Sequence, residues 1–136
     1  MRFIHQKITI VNLRKPPKEN INQQLQWFGT SLGLFNLRDK DKSCFRIFIE
    51  LLKAAKYNKP MTSDELAEKL DLSRGTIIHH IHKLMESGLV IFEDSKYLLR
   101  VDNLNELIKE IEKDVKRSLE DLREIGEEID KRLGLE

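Results

Sequence analysis

The sequence predicts a mainly α-helical chain with one small β-hairpin and a long carboxy-terminal helix. Three observations support this class. Apolar side chains recur every three or four residues through most of the 136-residue chain, the period of helices with one buried face. Two short apolar runs, at 89–93 and 96–101, flank Asp94-Ser95, a pair suited to a two-residue hairpin loop. Beyond them, about thirty residues repeat their apolar positions every seven.

Composition narrows the function classes. Charged residues make up 35% of the chain, against about 25% in ordinary globular domains, so much of it is solvated surface. The net charge of +1 excludes a uniform polycation. A single cysteine, Cys44, allows no internal disulfide and carries no zinc-type Cys/His spacing. The longest apolar runs, such as Leu89-Val90-Ile91-Phe92, fall far short of the roughly 18 to 20 residues that span a bilayer. Residues 1–5 lack the apolar core of a signal peptide. A soluble, cytoplasmic protein without membrane partners is expected.

Taken in order, Phe3, Ile4, Ile8, Ile10, Val11 and Leu13 predict a strand over residues 3–13 despite broken alternation. Pro16 and Pro17 then forbid helix and favour an extended link. Ile21, Leu25, Phe28, Leu32 and Phe35 lie on one face of a helix. Gly29 and Gly33 each weaken it by about 1 kcal/mol relative to Ala; either their spacing admits another helix or the helix breaks there. Asp39 or Asp41 caps the next helix, whose buried face carries Phe45, Phe48, Leu52 and Ala55, and Lys59-Pro60 stops it. Thr62 and Glu65 form a capping box for a short helix with Leu66, Ala67 and Leu70 inward. Asp71-Leu72 makes a tight turn, and Ser73 caps a helix to about Ser87 with Ile77, Ile81 and Leu84 as its inward stripe. Gly88 ends that helix in the left-handed conformation.

Helix, short helix, tight turn, helix and hairpin follow in the order of a winged helix-turn-helix. The run Leu66-Ala67-Glu68-Lys69-Leu70-Asp71-Leu72-Ser73-Arg74-Gly75-Thr76-Ile77, continued to Val90, resembles the core of ArsR-type and related archaeal and bacterial transcription regulators. The resemblance covers roughly residues 43–101. It implies that the helix at 73–87 enters a DNA major groove, which is about 12 Å wide. Asp71 stands where many such turns have glycine, and Asp is among the few other residues that tolerate the left-handed region.

With Ile77, Ile81 and Leu84 inward, the outward face carries Arg74, Gly75, Thr76, Ile78, His79, His82 and Lys83. By resemblance, Arg74, Thr76, Ile78 and His79 are the base-edge candidates, Arg74 through guanine and Ile78 through a thymine methyl. Ser73, Thr76 and Lys83 suit phosphates. The wing tip, Glu93-Asp94-Ser95-Lys96, places two acids where relatives carry basic residues, which disfavours wing contact; Lys96 and Arg100 are left to touch the flanking backbone.

His79, His80 and His82 invite a metal-sensor reading. A zinc site takes three or four ligands, however, and no Cys pair or Asp/His cluster accompanies them, so exposed polar residues are the plainer reading. No glycine-rich phosphate loop, nucleophile elbow or paired-acid pattern occurs, and Cys44 has no base near it in sequence. No enzyme activity, catalytic residue, metal ligand or cofactor is expected.

After Asn103, which caps toward Glu106, the positions Leu104, Ile108, Ile111, Val115, Ser118, Leu122, Ile125 and Ile129 form a heptad seam. It predicts a coiled-coil homodimer, with the first half of the helix also able to pack on its own chain. Asp114, Asp121 and Glu128 flank the seam at seven-residue steps, favouring an antiparallel crossing or packing against the basic amino-terminal segment. The helix carrying Leu25, Phe28 and Leu32 is the apolar partner, in the same subunit or the other.

The expected organisation is an arm and helix at 1–36, a winged helix-turn-helix at 37–101 and a dimerisation helix at 102–136. The expected function is a sequence-specific regulator that binds a pseudo-palindromic duplex as a homodimer. The alternative is a winged-helix protein-interaction module without sequence-specific DNA binding; a metal- or ligand-gated repressor is a third reading. Charge is distributed unevenly. Residues 1–60 carry twelve basic and four acidic side chains, residues 61–101 five and seven, and residues 102–136 seven and twelve. Phosphate attraction should therefore come from Arg14, Lys15, Lys18 and the 38–42 stretch as much as from the motif.

Overall fold

In the computed structural model, residues 5–35 and 38–136 are described; Phe3 and Ile4 of the expected strand lie outside them. The elements run α1 (Ile21–Ser31), α2 (Ser43–Lys56), α3 (Ser63–Leu70), α4 (Arg74–Glu86), β1 (Val90–Glu93), β2 (Lys96–Leu99) and α5 (Leu104–Leu133). This is the mainly α winged helix-turn-helix with a long final helix that the patterning predicts.

Three helix starts, at Thr62, Ser73 and Asn103, follow the expected capping chemistry, and Asn20 adds a cap the sequence reading does not name. Asn20, Thr62, Ser73 and Asn103 each accept a main-chain N–H from three residues ahead, and Thr62 and Glu65 complete a reciprocal capping box. At α2 the cap position is Lys42, in the left-handed region with φ 55°. The Asp39 carboxylate reaches in from upstream and accepts from the amides of Ser43 at 2.9 Å and Cys44 at 3.0 Å.

Ile47, Phe48 and Leu51 of α2, Leu66 of α3 and Ile77, Ile81 and Leu84 of α4 are almost wholly buried in one core. The inward face of α2 is therefore rotated from the expected one, and Phe45, Leu52 and Ala55 are only half-buried. Phe45 is drawn toward α1, where its ring lies against Gly29: a Cβ on Gly29 would stand 2.6 Å from that ring. The two glycines thus divide the two readings between them. Gly29 permits the close approach of α2, and Gly33, at φ +74°, ends the helix after Ser31, short of Phe35.

The hairpin pairs antiparallel from Val90 with Leu99 to Glu93 with Lys96. Asp94 and Ser95 both have positive φ, 52° and 64°, as a type I′ loop requires. Met61, between α2 and α3, exchanges main-chain hydrogen bonds with Tyr97 at 2.9 and 2.7 Å and ties the hairpin to the helices.

Residues 5–13 form no strand. Among the described residues the arm has no strand to pair with, and two of its amides go to helix ends instead: Lys7 donates to the Glu86 carbonyl of α4 and Val11 to the Ser31 carbonyl of α1.

The first half of α5 packs on its own chain by a face that shares Ile111 with the heptad seam and adds Leu107 and Asp114, which the seam did not include. Leu107, Ile111 and Asp114 are its buried residues. Ile111 is therefore a core residue of its own chain, and Asp114 is a buried acid rather than an exposed flank of a coiled coil. Its carboxylate accepts a fork from Arg100, Nη1 to Oδ2 at 2.5 Å and Nη2 to Oδ1 at 3.1 Å, together with Arg117 Nη2 at 2.6 Å and Gln6 Nε2 at 2.8 Å. The Arg100 side chain is 4% exposed. Arg100 is thus committed to α5, not to flanking DNA.

Although burial works to raise it, these hydrogen bonds and the Arg100 and Arg117 charges hold the Asp114 carboxyl below its ordinary 3.8. A carboxyl lowered on folding supplies stability that is complete above the ordinary value and lost as pH falls through the folded one. Thermal melts of Asp114→Asn should therefore show a weaker dependence on pH below about 4 than the wild type, the remainder coming from Asp39 and Glu65, whose carboxyls are also lowered. Asp114→Ala, which removes the hydrogen-bonded fork from the buried Arg100 and leaves it the longer 3.6 Å pairing with Glu110, should cost about 3 kcal/mol at neutral pH by chemical denaturation.

Candidate nucleic-acid interface

The interface is built on α3 and α4. Asp71 closes α3 in the left-handed region with φ 55°, and Leu72 donates its amide back to the Ala67 carbonyl at 3.0 Å, so the chain turns at once toward the Ser73 cap. Arg46 of α2 braces this corner by donating to the Leu70 carbonyl at 2.6 Å, and Lys69 pairs with the buried Glu50 at 2.7 Å. Recognition-type helices need such bracing, because groove contacts tolerate little displacement.

With Ile77, Ile81 and Leu84 wholly buried, α4 turns Ser73, Arg74, Gly75, His79, His82 and Lys83 to the exposed side. Thr76 and Ile78 are half-buried at its margins, and Ile78 packs partly on the core. Ser73 Oγ accepts from the Thr76 amide at 3.1 Å and shares a 2.8 Å hydrogen bond with Thr76 Oγ1, so both hydroxyls are oriented by the cap. Arg74 is 71% exposed and makes a loose 3.7 Å contact with the exposed Asp64, a surface pair of the weak kind. Around Gly75 nothing lies within 4 Å of where a Cβ would stand. This end of α4 is an open surface.

Beside it the loop before α2 contributes Arg38, Lys40 and Asp41, which with Thr76, His79 and Lys83 line an open groove of about 580 Å³. The 38–42 stretch expected to attract phosphate therefore adjoins α4 in space. Lys96 stands apart on the wing, opposite Glu93 in register.

The sequence groups His80 with His79 and His82 as exposed polar residues; the structure corrects this, because residues 77, 80, 81 and 84 form a single helical face and place His80 inside. Its ring is 9% exposed, with Nε2 3.9 Å from the Asp39 carboxylate and Nδ1 without a hydrogen bond. Burial pulls the imidazole below its ordinary 6.5, partly offset by Asp39. Asp39 itself is held below its usual value: burial raises it, but the Cys44 and Ser43 amides and the His80 charge outweigh that. Asp39 thereby links the start of α2 to the middle of α4.

With His80 inside, only His79 and His82 face outward together. Among the described residues no group of three or more His, Cys, Asp or Glu side chains is placed to hold a metal ion. Burial pushes the Cys44 thiol up to about 11, which keeps it protonated. No helix among the described residues is long and apolar enough to cross a membrane.

No curated protein and no solved structure matches this chain. Residues 41–91, from just before α2 to β1, match the family model of a helix-turn-helix domain, the segment that carries the braced corner and the exposed face of α4.

Proposed function

We propose that this protein is a transcription regulator that binds duplex DNA sequence-specifically as a homodimer, laying the first turns of α4 in the major groove of each half of a pseudo-palindromic site. The observation that carries the reading is the division of α4: one face sealed in the core, the other open at Arg74, Gly75, Thr76 and His79, with the basic Arg38, Lys40 and Lys83 alongside. Arg74 and Thr76 read base edges, with Ile78 and His79 at the groove walls. Ser73, Lys83, Arg38 and Lys40 take phosphates, and His82 and Lys96 lie at the periphery. Residues 37–101 serve as the DNA-binding unit, and residues 1–36 and 102–136 pair the protomers. Two copies of α4 then address half-sites about 10 bp apart, or a multiple of that.

The acidic wing tip, Glu93-Asp94, favours the competing reading of a protein-interaction module. Salt separates the two. The regulator is expected to retain duplex DNA at about 50 mM salt and release it steeply as salt rises, whereas the interaction module retains none.

Selection of bound genomic fragments with the purified protein should yield one palindromic consensus. Arg74→Ala should weaken binding to it by about 1–3 kcal/mol and flatten preference at one position per half-site; unchanged affinity and preference would remove Arg74 from base reading. Gly75→Ala tests the close approach separately. With open space around it, the new methyl should raise the melting temperature through helix propensity, by up to about 1 kcal/mol of stability, while lowering DNA affinity.

A further inference from the structure

Two exposed apolar surfaces of this chain are complementary and cannot meet within one copy. The first is a groove of about 530 Å³ between α1 and the first half of α5, lined by Ile10, Trp27, Phe28, Ile108, Ile111 and Val115 among others, and almost wholly apolar. The second is the stripe Leu119, Leu122, Ile125, Ile129 and Leu133 on the second half of α5, each 48–68% exposed. From Ser118 to the end of α5 only Gly126 is less than exposed. The stripe continues the same helix face that forms one wall of the groove.

The second half of α5 runs about 27 Å beyond Val115 and, as a continuous helix, cannot fold back onto its own groove. A solvated helix of that length, interrupted by Gly126, is marginal in water unless its apolar face is covered. Charge indicates what covers it. Between Leu119 and Ile129 the stripe is flanked by Glu120, Asp121, Glu124, Glu127 and Glu128 against one base, Arg123; the groove side has no charge on α1, one acid, Glu112, on its α5 wall, and Arg14, Lys15 and Lys18 on the adjoining arm. A parallel pair would set the acidic flanks against each other and leave the groove open.

We infer that the groove between α1 and α5 is filled by the second half of α5 from a second copy of this chain, running antiparallel. The inference deepens the homodimer reading above and rests on it. Two-fold symmetry fills both grooves at once. Setting Ile108 against the partner's Ile125 also sets Leu104 against the partner's Ile129, with Val115 and Ser118 meeting near the axis. These are the alternating layers of an antiparallel coiled coil.

The test uses the full chain without DNA. Light scattering should give a two-chain mass for the wild type and a one-chain mass for Leu122→Asp/Ile125→Asp, whose circular dichroism melt shows the winged domain still folded because both positions are exposed. Trp27, the sole tryptophan, lines the groove, so its emission should shift to the red in that variant. Mild oxidation should cross-link the Ile108→Cys/Ile125→Cys double variant into a dimer and leave Ile129→Cys alone uncross-linked. A monomeric wild type, a double-Asp variant that stays dimeric with unchanged Trp27 emission, or self-cross-linking at Ile129→Cys overturns the antiparallel groove. A dimer with the expected cross-links but no duplex binding would overturn the regulator reading and leave this one standing.

Discussion

The buried carboxylate of Asp114 is the point on which the arrangement of this chain depends. It gathers the arm through Gln6, the end of the wing through Arg100 and its own helix through Arg117. An acid this deep is tolerated only because every approach to it is occupied by a donor, two of them cationic. The consequence reaches past stability. The Arg100 fork ties the residue that follows the wing to the third turn of the long helix.

A second polar junction sets the other side. Asp39 caps α2 from upstream and faces His80 on α4, so the basic 38–42 stretch is held where it adjoins the exposed face of α4. The near-neutral net charge hides this arrangement. Positive charge collects on the arm and around the start of α2, negative charge on the second half of α5. Under the proposed function, the same polarity that draws phosphate to one end directs the acidic helix toward the basic arm of another copy.

What was legible from sequence was whatever local chemistry dictates. Caps at Thr62, Ser73 and Asn103, the left-handed Asp71, the Asp94-Ser95 loop and the Ile77, Ile81 and Leu84 stripe all follow from interactions within a few residues, and all are present. The arm misled because β-branched composition reports the capacity to extend, not the presence of a neighbouring strand. The face of α2 was misjudged because its core side is set by Ile47, Phe48 and Leu51, while Phe45 packs aside on Gly29 and Phe35, contacts that a helical period does not record. Within the candidate site, the exposed side of α4 was legible by subtraction from the buried stripe. The neighbouring Arg38 and Lys40 were read only as charge, since their distance from α4 depends on the Asp39 cap.

By itself, then, the sequence determined the class of fold, the caps of α3, α4 and α5, the wing's loop and which side of α4 faces out, because periodicity and capping are local. Only the tertiary structure decided that Asp114 and His80 lie inside, that Arg100 serves α5 rather than DNA, and that the apolar positions of α5 divide into an inward half and an unpaired half. Those outcomes depend on which charged or apolar group arrives from a distant part of the chain, and a heptad count carries no record of that.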